Sequence, residues 1–277
     1  IIDEIHAIAG SKRGDLLSLS LAAMRSLSPD IQTIALSATL SHPEDLMGWL
    51  GNHAEKSQLI APDLSKQIEC QVHLSDEDNL PWAGHSAFYA LDVIYRQIDT
   101  HQTTLVFVNT RAQAELLFQA LWHINEKNLK IGIHHGSLYV SQRRRVEAAV
   151  GRGVLDAIVA TSSLDLGVDW ADIDLVIQVG APKGTARLMQ RIGRAGHRLD
   201  AKSKALIIPA NRFEIFEAIA AKLNLEHHKI DRLELADGGL DILAQHIVGR
   251  AVASPFDADS LFNQIRSAPP YAYLSRS

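Results

Sequence analysis

The chain has 277 residues, of which 47% are hydrophobic and 21% charged, with a formal net charge of −5; such values suit a globular chain of one or two domains with a sizeable core. The acidic balance excludes affinity for nucleic acid through whole-protein charge and leaves only a local basic patch to supply it. One cysteine, Cys70, excludes an internal disulfide and fits a reducing compartment, and no apolar run approaches the ~18 residues that cross a bilayer, so no membrane partner is expected and the expected location is the cytoplasm.

The chain opens IIDEIHAIAG. Two β-branched residues running straight into Asp3 and Glu4 read as the end of an apolar strand. A buried strand takes ~4–8 apolar residues, so the chain is expected to begin inside one, as a fragment with an upstream part missing. QTIALSAT (32–39) is a second strand, ending in Ser37 and Thr39. LSDEDNLPWAGH (74–85) is polar and carries Pro81 and Gly84, which puts a domain boundary near 70–85. TLVFVNT (104–110) predicts a strand and RAQAELLFQALWHI (111–124) a helix. KIGIHHGS (130–137) followed by SQRRRVEAAVGRG repeats the pair. DAIVATSS (156–163) and DLVIQVGAP (174–182) read as buried strands, TARLMQRIGRAGHR (185–198) as a helix, and KALIIPAN (204–211) as a last strand. This βαβα rhythm predicts a parallel sheet with helices on both faces. After about 212 the rhythm stops. GGLDILAQHIVGRAVA (238–253) reads as a helix, and PFDADSLFNQIRSA as another with Asp257 as its N-cap. Two short helices joined by a tight turn fit the beginning of a helix-turn-helix or winged-helix domain.

The polar groups gather where strands end, the edge at which doubly wound sheets bind ligands. An apolar strand ending in Asp-Glu can supply half of a nucleotide-hydrolysing site, the Asp holding Mg²⁺ and the Glu polarising water; the plainer alternative is a solvated strand end. Ser37 and Thr39 are placed to hydrogen-bond back to His6 and the acidic pair. In TSSLDLGVDW, Thr161, Ser162 and Ser163 suit contacts to a phosphodiester backbone, and Gly167 and Asp169 suit a nucleotide ribose. Arg187, Arg191, Arg194 and Arg198 recur at helical spacing. Gly193 and Gly196 each weaken that helix by ~1 kcal/mol relative to Ala, which makes sense where another surface approaches closely. The thirteen histidines include the adjacent pairs His134-His135 and His227-His228, and with one Cys and no HExxH they form no zinc pattern.

Taken together, DEIH, SAT, VFVNTR, HHGS, TSSLDLGVDW and QRIGRAGH, in this order over about residues 1–215, resemble the ordered motifs of superfamily 2 helicases. HHGSLYVSQRRRVE, SSLDLGVDW, IQVGAPKG and QRIGRAGH look like the large helicase-related family. LDILAQHIVG and PFDADSLFNQIRSAPPY are similar to the segment after the second lobe in its ligase-associated DEXH-box branch.

The resemblance implies an α/β fold of tandem RecA-like lobes, the first incomplete over 1–73 and the second over 74–215, with the beginning of a winged-helix domain over 216–277. It implies an ATP-dependent DNA helicase or translocase that uses ATP and Mg²⁺. Such a motor would move 3′-to-5′ on single-stranded DNA, in repair, beside a ligase and a nuclease. Asp3 would bind Mg²⁺ and Glu4 would be the catalytic base. His6, Ser37 and Thr39 would couple nucleotide to lobe movement, with Gly167 and Asp169 also at the nucleotide. Gln190 and Arg194 would reach the γ-phosphate; His197 stands where many relatives carry a second Arg, so the arginine finger is shared between Arg194 and Arg191. Thr110, Arg111, His135, Gly136, Ser137, Thr161, Ser162 and Ser163 would track the nucleic-acid backbone, with Lys12 and Arg13 as weaker candidates. An RNA helicase and a non-hydrolysing nucleic-acid-binding fragment are the alternatives. The 277 residues contain no Gly-x-x-x-x-Gly-Lys-Ser/Thr loop to cradle phosphates. That loop is expected upstream of residue 1, and the chain alone is expected not to hydrolyse ATP.

Overall fold

The computed structural model describes residues 1–37, 40–51, 57–61, 68–75, 80–84, 86–165, 173–195 and 203–276. In chain order the helices are α1 (Lys12–Leu27), α2 (Pro43–Trp49), α3 (Leu91–Thr100), α4 (Arg111–His123), α5 (Val140–Gly151), α6 (Thr185–Ile192), α7 (Glu214–Glu226), α8 (Leu240–Ala253) and α9 (Ala258–Arg266). The strands are β1 (Ile68–Val72), β2 (Thr104–Phe107), β3 (Ile131–His134), β4 (Ala157–Ala160), β5 (Leu175–Val179) and β6 (Ser203–Ile208). The chain divides into two compact units, Ile1–Asp63 with Arg232–Ser277, and Leu64–Asp231.

The second unit is the parallel sheet that the βαβα rhythm predicts, in the order β1-β6-β5-β2-β4-β3. Every residue of β2, β4 and β5 is buried, as strands covered by helices on both faces must be. Alternation along β2 separates the two layers. Val106 packs with Ile94, Ile98, Leu117 and Leu121 of α3 and α4. Leu105 and Phe107 pack on the other face with Val150 of α5. β1 was not expected from the sequence. It is an edge strand in register with β6 from Ile68↔Ser203 to Val72↔Ile207, and its alternating half-buried and exposed residues give a weaker apolar signal than a central strand.

The first unit carries little sheet. The strand expected over 32–39 reduces, in the described residues, to one parallel bridge between Ile2 and Ala35. Its ladder bonds run from Ile2 N–H to Ile34 O and from Leu36 N–H to Ile2 O, both 2.8 Å. Glu4 then leaves extended backbone for φ 50° and ψ 43°, which stops the pairing. Helices hold this unit together instead. Leu19 and Ala22 of α1 bury against Leu261, Ile265, Ala268 and Tyr271, and Ile5, Ala9, Leu46 and Trp49 gather Leu233 and Leu235. The Asp15 carboxylate accepts the Gly239 N–H at 3.0 Å, and Arg232 grips Asp45 through Nε and Nη2 at 2.8 and 2.9 Å.

The two compact units divide the chain elsewhere than at the expected 73/74 and 215/216. β1 lies before the first division yet belongs to the second unit's sheet, and α7 straddles the second, packing Ala218, Ala221 and Leu225 on Leu188, Ile192 and Ile207 of that same unit. Residues 232–277 share their core with residues 1–63, so three consecutive segments become two units, one of them discontinuous. α6 is shorter than the expected 185–198 helix because it ends at Gly193 as C-cap. Asp257 caps α9 as expected, accepting the Ser260 N–H at 2.8 Å. Among the described residues, no helix is long and apolar enough to cross a membrane.

Candidate nucleotide and nucleic-acid site

In the first unit, the positive φ of Glu4 is a conformation that a non-glycine residue holds only when its surroundings over-determine it. Two bonds do so: the Glu4 N–H donates to Asp3 Oδ1 at 2.9 Å, and the buried Ile5 donates its N–H to Leu36 O at 3.0 Å. The turn brings Glu4 Oε2 to 3.6 Å from His6 Nε2, while His6 Nδ1 pairs with Ser37 Oγ at 3.0 Å. The expected link from Ser37 to His6 is therefore present. Burial pushes the His6 pKa below its ordinary value, against the opposing pull of Glu4 and Asp3, so the ring is neutral at neutral pH. Asp3 is exposed, with one oxygen already oriented by a backbone donor. Such a hard carboxylate fits Mg²⁺, which binds through one or two carboxylates and keeps several waters. Lys12 opens α1, and its Nζ meets Asp241 Oδ2 at 2.5 Å; that partner raises the Lys12 pKa and competes with a phosphate. Arg13 is exposed beside it. Thr39, Gly167, Asp169 and His197 lie outside the described residues.

In the second unit, strand order sets the second cluster. β3, β4 and β2 are neighbours, so the residues after them share one sheet edge. Thr110 caps α4 through a capping box: its Oγ1 accepts the Gln113 N–H at 3.2 Å and its own N–H donates to Gln113 Oε1 at 2.9 Å. Arg111 Nη1 donates to Ser137 Oγ at 3.2 Å, which ties the end of β2 to the end of β3. Gly136, Ser137 and Ser162 are exposed and Thr161 is half-buried. A Cβ on Gly136 would meet nothing within 4 Å, so this edge is open.

Two members of the expected row, His135 and Ser163, face inward. His135 is only 3% exposed, with Nε2 3.4 Å from Glu115 Oε1; burial pushes its pKa down, partly offset by Glu115. Ser163 Oγ pairs with Nδ1 of the buried His134 at 2.9 Å, and His134 Nε2 reaches Glu147 Oε1 at 3.0 Å. Both residues brace the row from beneath.

α6 carries the arginines. The Asp231 carboxylate caps its start, accepting the Thr185 N–H at 2.6 Å and the Ala186 N–H at 3.3 Å. Arg191 is 2% exposed. Its Nε donates to Asp165 Oδ1 at 2.8 Å and its Nη1 to Gln178 Oε1 at 2.6 Å. Its guanidinium lies 4.6 Å from the Phe107 ring centre. A side chain so committed is a buried strut in this structure, unlike Arg194, the other residue expected to share the finger role. Arg194, just past the end of α6, is half-buried and donates Nη2–H to the Asp165 carbonyl at 2.7 Å; Gln190, on α6, is also half-buried. Asp165 thus organises the cluster, with Arg187 Nε a further 3.5 Å from its Oδ2. Sequence reasoning passed over Asp165. The available signal was an acid inside SSLDLG, within a stretch otherwise read for hydroxyls.

The parallel sheet with its open hydroxyl edge and its arginine-bearing helix has the architecture of a RecA-like helicase lobe. Residues 87–198 match the helicase conserved C-terminal domain, and residues 223–277 match the winged helix domain of large helicase-related protein. The chain belongs to the large helicase-related family. It is 36% identical over 277 residues to the ATP-dependent helicase Lhr-Core of Methanocaldococcus jannaschii, a match covering 100% of this chain and 32% of that protein. It is 33% identical over 311 residues to a Mycolicibacterium smegmatis protein named Lhr helicase/probable uracil glycosylase, covering 100% of this chain and 21% of that one. The chain therefore spans about a third or less of these relatives' length. The structure of Mycobacterium smegmatis helicase Lhr bound to ssDNA and AMP-PNP matches with a TM-score of 0.89 at 36% identity, over 99% of this chain and 36% of that one. DUF1998 helicase MrfA bound to DNA shares the fold, with a TM-score of 0.71 at 19% identity over 93% of this chain and 35% of its own.

Proposed function

We propose that the chain is part of an ATP-dependent helicase motor that tracks single-stranded DNA. The observation that carries this reading is the row Thr110-Arg111, Gly136-Ser137 and Thr161-Ser162 at the ends of three adjacent parallel strands. Hydroxyls, an open glycine and one guanidinium grip phosphates without reading bases. DNA is favoured over RNA by the ssDNA-bound helicase that matches at 36% identity. Asp3 would hold Mg²⁺, which supplies charge neutralisation at the phosphates when bound, and Glu4 would accept a proton from the attacking water. A neutral His6 bonded to Ser37 would keep the Glu4 turn in register, and Arg194, with Gln190, would meet the γ-phosphate. Family resemblance supports movement 3′-to-5′, a repair role beside a ligase and a nuclease, and a cytoplasmic location.

The test is ATP hydrolysis by the intact motor carrying this chain, with single-stranded DNA and RNA compared as stimulants. Stronger stimulation by RNA would move the reading to the RNA alternative. Residues 1–277, which lack a phosphate-cradling loop, should bind single strands with affinity that falls steeply as salt rises, without releasing phosphate.

A further inference from the structure

We propose that Trp82, Phe213 and Phe216, with Arg212, form a platform on which bases of a single-stranded nucleic acid stack. Trp82 is 66% exposed, Phe213 67% and Phe216 79%. The Trp82 and Phe213 rings lie 6.3 Å apart, tilted by 59°, and the Arg212 guanidinium sits 4.5 Å from the centre of the Trp82 ring. Phe213 and Phe216 are three residues apart at the start of α7 and so share a helix face.

The cluster is anchored. The Arg212 N–H donates to Pro81 O and Nε–H to Leu80 O, each at 3.0 Å, and Asn211 Nδ2 donates to Gly84 O at 2.9 Å. Ordered aromatic faces with a stacked guanidinium are what single-stranded nucleic-acid sites use, because every base presents a π-face. The position fits as well. α7 starts just beyond the C-terminal end of β6, on the same sheet edge as the hydroxyl row. Glu214 Oε2 accepts the N–H groups of Ala210 at 2.8 Å and Ala181 at 3.0 Å, and Asn109 Nδ2 donates to Ala181 O at 2.9 Å. One bonded ledge therefore crosses the ends of β6, β5 and β2 and delivers the chain to Thr110. Two strand spacings are about 10 Å, roughly three nucleotides at duplex rise. Ile219 and Leu223 continue an exposed apolar stripe along α7, which a protein partner would use; the guanidinium and the ledge favour bases.

The inference rests on the reading of the row as a nucleic-acid track, and the test separates the two. Residues 1–277 are titrated with a labelled oligothymidylate and with an abasic oligomer of equal length. Trp82→Ala should lower affinity for the oligothymidylate about tenfold, within the range for losing one stacking partner, and leave the abasic oligomer unchanged; Trp82→Phe should restore most of the loss. Arg111→Ala should weaken both oligomers equally. If Arg111→Ala has no effect while Trp82→Ala does, the track fails and the platform stands. If Trp82→Ala leaves the oligothymidylate unchanged, or weakens both oligomers equally, the platform is overturned and the face belongs to a protein partner. Phe216→Ala, at the most exposed of the three rings, gives a second measurement should Trp82→Ala fail to fold, with a smaller loss in the same direction expected.

Discussion

At the turn of the first unit, Asp3 is exposed, Glu4 holds a left-handed backbone, and His6 meets Glu4 and Ser37 across 3.6 and 3.0 Å. Below the edge of the second unit, Arg191 is 2% exposed and meets a carboxylate, an amide and an aromatic ring at once. Both clusters pair acids with bases, yet they suit different work. Groups open to water can accept protons and ligands. A desolvated guanidinium bonded on every side cannot change partners without large cost, so it fixes geometry for neighbours such as Arg194. Burial, more than residue type, separates the reacting group from the frame that holds it.

Four measurements break or sharpen that comparison. The largest effect belongs to Arg194→Ala, which should cut kcat in the intact motor by ~10³-fold or more, as loss of an arginine finger does, with thermal stability nearly unchanged. An equal loss of stability would place Arg194 in the frame with Arg191. Next is Arg191→Ala, which leaves Asp165 buried and uncompensated and should destabilise the second unit by about 3–5 kcal/mol, read by chemical denaturation; a shift below 1 kcal/mol would mean the pair is solvated like a surface bridge.

A smaller effect is a pH dependence. Burial lowers the folded-state pKa of both His6 and His135, so the unfolded chain takes up protons first on acidification. Stability should therefore be full above the unfolded value near 6.5 and fall as pH drops through and below it. His135→Asn should flatten that slope in the second unit; an unchanged slope would remove His135 as its source. The smallest is Tyr271→Phe in the first unit. It removes the bond from the Tyr271 hydroxyl to Gly239 O at 3.0 Å and should cost about 1 kcal/mol, without changing nucleic-acid affinity.

Much of the second unit was legible beforehand because its information is local. Continuous apolar runs such as LVF and AIVA followed by amphipathic helices report a covered parallel strand wherever they occur, and their C-terminal hydroxyls fall on one edge once the strands are parallel. The Asp257 cap was likewise readable from a short spacing, and the Ser37–His6 bond from two strand ends expected side by side. What stayed hidden was the third dimension. β1 has a mixed, half-exposed pattern, and only pairing with β6 makes it a strand. His135 and Ser163 stand beside true edge residues in sequence, but the turn after β3 and the bond to His134 send them inward.

The sequence by itself determined the order of elements, the hydroxyl-bearing strand ends, the acidic pair with its histidine and the arginines of α6, because each follows from side-chain type and a period of two or 3.6 residues. The tertiary structure alone decided that residues 232–277 complete the unit begun by residues 1–63, that Asp165 gathers the arginines, and that Arg191 is a strut while Arg194 stays partly open. Those outcomes depend on which surfaces lose water when separate segments meet, and no local pattern encodes desolvation by a partner that only the fold brings near.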